Sequence, residues 1–153
     1  SNFDTITCGA GLCVQRLVAQ KYKEMAVNDS KRLSLDRKGN CLTGGGDHDL
    51  AMTAYDLGLG TGNFTALKMS HLMPASRLQE RYLLKLVEAS EYSGHILRYL
   101  RTNRLPVNSE RSWQTILMQQ YRFWRMNRRD RLFHKVLQKG RQRAMEELSE
   151  VKI

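Results

Sequence analysis

Apolar positions recur with a helical period in three stretches, separated by polar or glycine-rich breaks. Over 9–26, Leu12, Cys13, Val14, Leu17 and Val18 form an apolar stripe against Arg16, Gln20, Lys21 and Lys23, which predicts an amphipathic helix. A second stretch follows Pro74, where Ser76 and Gln79 have the spacing of a capping box and Leu78, Tyr82, Leu83, Leu86 and Val87 share one face. Ser93-Gly94 predicts a bend before the apolar run at 95–100. In the third stretch Trp113, Ile116, Leu117, Tyr121 and Trp124 recur at three and four, so an apolar stripe faces the core or a partner.

The breaks carry their own expectations. At 27–46 the period is lost, and RLSLDRKGNCL predicts a short hairpin with Lys38-Gly39-Asn40 turning between Leu33/Leu35 and Leu42. Three glycines at 44–46 form a joint, and Asp47 or Asp49 is placed to cap the helix that follows. The polar segment 102–109 is the best domain boundary. After Gly62 only ten of ninety-one residues are Val, Ile or Thr, too few for a sheet. The fold class is therefore all-α.

Charge sharpens this picture. The chain has 153 residues, enough for one domain with a core and an appendage, and 25 Lys/Arg against 15 Asp/Glu. The surplus is uneven: 108–153 holds eleven Lys/Arg against five Asp/Glu, the preceding 107 residues fourteen against ten. Between Arg122 and Arg143 nine basic residues meet one acid, Asp130. Such a segment suits a polyanionic partner, with Arg122, Arg125, Arg128, Arg129 and Arg131 as phosphate contacts. A solvated face, a helix-dipole complement or a dimer helix with charged flanks explains the same residues. In the dimer, Glu146, Glu147 and Glu150 would pair with a second copy. No apolar run approaches eighteen residues, so neither a transmembrane helix nor a membrane partner is expected.

Chemistry-bearing residues are sparse. Three cysteines at irregular spacing point to a reducing compartment, hence a cytoplasmic location. Cys8, Cys13, Cys41 and His48 are the one set to weigh for zinc, but four residues separate the first two and six the last two. Cysteine as a small buried hydrophobe is the better reading, and no metal is expected. His48, His71, His95 and His134 are scattered, with no nucleophile set beside one, so neither an enzyme nor a cofactor is expected.

The stretch 50–69, LAMTAYDLGLGTGNFTALKM, decides the functional reading. Ala54 can be the contact residue between two steeply crossing helices, Gly58 the turn, and Leu57, Leu59, Phe64 and Leu67 the apolar corner. Gly60 and Thr61 would open the second helix. The pattern A-x-x-L-G-L-G-x-x-x-F-x-A-L resembles the lambda-repressor-like helix-turn-helix family, and the likeness extends over about 50–100. Thr53 departs from it, standing where that family buries an aliphatic residue, and GGGDHD is not its usual entry. The resemblance implies a helix-turn-helix core, at 1–107 with an insertion at about 27–46, and the charge and period of 108–153 add a long basic C-terminal helical extension. It implies sequence-specific binding of double-stranded DNA by a homodimer, as in a transcriptional regulator of a phage or mobile element. Thr61, Gly62, Asn63, Thr65 and Lys68 would read bases at the start of the recognition helix.

Two other readings stay open. One is a protein-binding adaptor that keeps the helix-turn-helix shape without DNA. The other starts from Asp56-Leu57-Gly58-Leu59-Gly60-Thr61-Gly62, which looks like the D-x-G-x-G-x-G loop of class I S-adenosylmethionine-dependent methyltransferases. That loop needs a preceding strand and an acid about twenty residues on. LAMTAY is a poor strand, and Glu80 falls within a helical period.

Overall fold

A computed structural model of the chain describes residues 9–37, 39, 41–105 and 112–150. These form six α-helices and one 3-10 turn, with no strand among the described residues, so the fold is all-α. The chain divides into two compact units, Ser1–Leu78 and Gln79–Ile153.

The first unit contains α1 (Arg16–Val27), α2 (Ser30–Ser34) and α3 (Gly46–Asp56). Helix α1 begins at Arg16 rather than Gly9, because Gly9 and Gly11 are poor helix formers and Gln15 is extended at the cap. The core joins Val18 and Ala26 of α1 to Leu35 and to Ala51, Thr53 and Ala54 of α3. In place of the expected hairpin stands α2, since Asp29 accepts the N–H groups of Lys31 and Arg32 at 3.0 and 3.3 Å and so caps a helix. Lys38 and Asn40 of the expected turn lie outside the described residues.

Neither Asp47 nor Asp49 caps α3; Gly45 occupies that position. Asp49 is wholly buried and pairs with Arg32, which also lies 3.4 Å from Asp29. A buried carboxylate needs such a partner, and the pair ties α2 to α3. Asp47, inside the first turn, accepts the N–H of His48 at 2.9 Å and that of Gly9 at 2.6 Å. Thr53, the departure in the motif, is buried and satisfies its hydroxyl by donating to the Asp49 carbonyl at 2.8 Å.

The second unit contains α4 (Glu80–Thr102), α5 (Trp113–Arg125) and α6 (Arg128–Glu150). Ser76 does not open α4, because a 3-10 turn spans Ala75–Leu78 and Gln79 holds the cap without a side-chain bond. The bend expected at Ser93-Gly94 is also missing. Ser93 is buried and donates to the Ala89 carbonyl at 2.7 Å within a continuous helix. Helix α4 closes at Asn103, whose left-handed φ of 50° suits an amide side chain.

Packing of α6 on α4 makes the unit. Ala89, Tyr92, Ser93 and Ile96 are buried on one helix and Gly140, Ala144 and Leu148 on the other. Gly140 allows the close approach: a Cβ there would stand 2.4 Å from the Glu88 carbonyl oxygen. Contacts advance together along both helices, Lys139 with Glu88 and then Glu147 with Tyr92, so the two run parallel. The basic C-terminal segment is thus half of a packed helix pair and not an appendage. A boundary at 107/108 would separate α4 from α6, whereas both belong to the unit that starts at Gln79.

Candidate nucleic-acid interface

At the glycine stretch, Gly58 does what its position implied. Its φ is 70°, its N–H donates to Tyr55 at 3.0 Å, and the Leu59 N–H donates to Ala54 at 2.8 Å. These are the two bonds of a Schellman closure, which ends α3. The second helix expected from Gly60 does not follow, and residues 59–74 contain none. The cause is local: Gly58, Gly60 and Gly62 with Thr61, Asn63 and Thr65 make GLGTGNFT a run of weak helix formers. Ala54 is buried but has no second helix to contact, and Phe64 and Leu67, two apolar residues of the corner, are 69% and 63% exposed. Gly62, Asn63, Thr65 and Lys68 are exposed on this irregular segment, and Thr61 is half-buried beside the Tyr55 hydroxyl.

The glycine loop also lines a cavity of about 820 Å³ with Leu12, Val18, Ala51, Ala54 and Phe64. Among the described residues no charged side chain lines it and no sheet stands behind the loop, so the frame of the methyltransferase reading is missing there. Nor do the described residues bring three His, Cys, Asp or Glu together as a metal site. Cys13 and Cys41 are exposed and not buried hydrophobes, and Cys8 lies outside the described residues.

The basic residues come together at the elbow between α5 and α6. Met126 is extended and ends α5. Asn127 then opens α6, its side-chain oxygen accepting the Asp130 N–H at 2.9 Å. Its amide donates to the Asp130 carboxylate at 2.8 Å, so the one acid of this segment is occupied by the cap. Arg122, Arg125, Arg128, Arg129 and Arg131 surround the elbow and are all exposed. Arg131 Nε donates to the Met126 carbonyl at 2.8 Å, and Arg125 lies 5.8 Å from the Tyr121 ring centre. None of the five makes an ion pair among the described residues, whereas Lys139 is paired with Glu88 at 3.0 Å.

Arg81 and Lys85 escaped the sequence reading. On α4 they line one open groove with Arg128 and Arg129 of α6, over Leu84, Leu132 and Val136. Their spacing of four puts them on one helix face, but only the parallel packing of α4 and α6 brings that face beside the elbow. Glu80 and Glu88 share the groove and offset part of its charge. No family model matches the chain, and no curated protein or solved structure matches it.

Proposed function

We propose that the protein binds double-stranded DNA through the phosphate backbone, with the arginine elbow of α5 and α6 as the contact. One observation carries the reading. Five exposed arginines cluster around one helix junction, and its sole acid is engaged in the cap. An exposed cluster of positive charge attracts a polyanion, and phosphate contacts release condensed counterions. Guanidinium groups suit phosphate oxygens because they donate in a planar fork. We assign affinity to the elbow and no base choice to Thr61, Gly62, Asn63, Thr65 and Lys68, which lie on no helix able to enter a groove.

Titration of labelled duplexes of unrelated sequence tests this. Binding should occur at low salt, with similar affinity for every sequence, and weaken as salt rises. No binding to duplex DNA at low salt would refute the proposal, and much tighter binding to duplex RNA would move it to another nucleic acid.

A further inference from the structure

Helix α5 is amphipathic but buries nothing. On a helical wheel Trp113, Ile116, Leu117, Tyr121 and Trp124 fall on one side, with Arg122 and Arg125 across from and beside them. Trp113 and Trp124 are 68% and 74% exposed, and Ile116, Leu117 and Tyr121 lie between 43% and 55%. Every residue over 113–122 is exposed, so no described residue covers this part of the face, while Phe123 beyond it is half-buried with its ring 5.4 Å from that of His134. A water-facing stripe of this size marks an interaction surface.

We infer that α5 lies in the surface of an anionic lipid bilayer, with its apolar face among the acyl chains and its arginines at the headgroups. Charge selects this occupant. Helix α5 has two arginines and no acid, and the next basic residues, Arg128 and Arg129, continue past the elbow. Pairing with a second copy of α5 would supply no acid to either arginine, since the helix has none. An anionic headgroup layer supplies the opposite charge along the whole length. Composition points the same way. Trp and Tyr have an apolar body and a polar edge that favour the boundary between water and hydrocarbon. Strong amphipathicity with low overall hydrophobicity is the signature of a helix that lies in the interface. Spanning is not involved, since no described helix is long and apolar enough to cross a membrane. The apolar face takes no part in the proposed DNA contact, whereas the arginines beside it are shared with that reading.

The two tryptophans of the chain, Trp113 and Trp124, both sit on this face, so intrinsic fluorescence reads the event directly. The full chain is titrated with vesicles of phosphatidylcholine, with and without about one third phosphatidylglycerol, and cosedimentation is measured in parallel. The expected result is a blue shift and cosedimentation with the anionic vesicles, much weaker with the neutral ones. Leu117→Glu places a charge in the apolar face at an exposed position and should lower binding about tenfold or more. Arg122→Gln and Arg125→Gln should each lower it about fivefold. Circular dichroism of each variant checks that the helices remain. No blue shift with anionic vesicles overturns the inference, as does equal binding to neutral and anionic ones. A blue shift that follows protein concentration without lipid, with a dimer in sedimentation, overturns it in favour of a second copy.

Discussion

Gly140 and Gly94 both sit inside helices of the second unit but in opposite surroundings. A Cβ on Gly140 would meet the Glu88 carbonyl oxygen at 2.4 Å, while nothing lies within 4 Å of one on Gly94. Gly140→Ala should therefore lower stability by about 1–3 kcal/mol through overpacking. Gly94→Ala should raise it by about 0.5–1 kcal/mol, because alanine is the better helix former. Denaturant midpoints of the two variants should move in opposite directions. In the first unit, Asp49→Ala should cost about 3 kcal/mol or more, since it leaves the largely buried Arg32 without its buried partner. A denaturation midpoint equal to that of the parent protein would show that this pair contributes nothing. Gly58 could be identified from sequence because a positive φ after a helix leaves few residues to choose from. The pairing of Arg32 with Asp49 could not, because it joins residues seventeen apart across two helices.

At the level of elements, period alone was enough where the apolar stripe was long. The helices around 82–100 and 113–124 were legible because several turns of regular spacing outweigh uncertain ends. Short elements were not. The run 30–34 reads as half a hairpin by composition, yet the Asp29 cap makes it helical. The glycine stretch failed in the other direction: its motif implied a helix that its own residues resist. This difference has a measurable consequence. Asn63→Ala with Lys68→Ala should leave affinity for any duplex within about twofold of the parent, as substitutions on an exposed loop usually change little. A sequence preference that disappeared in this double variant would restore base reading to 61–68.

Across the whole molecule, the surplus of charge was plain in the sequence while its arrangement was not. The arginines at 122–131 could be counted, but the elbow that exposes them and the cap that occupies Asp130 come from the fold. Arg81 and Lys85 join them only because α4 and α6 run parallel. The division into two units predicts where the activity resides. A fragment of 79–153 should be helical by circular dichroism and bind duplex DNA with the salt dependence of the full chain. Binding confined to a fragment of 1–78 would place the interface in the other unit.

The most direct measurement is the slope of log affinity for duplex DNA against log salt, for the parent protein and for Arg125→Gln/Arg128→Gln/Arg129→Gln. Each phosphate contact contributes about 0.9 to that slope. If all three arginines hold phosphates, the variant should bind every duplex more weakly and its slope should be shallower by about 2.7. An unchanged slope with unchanged affinity would show that the elbow does not contact DNA.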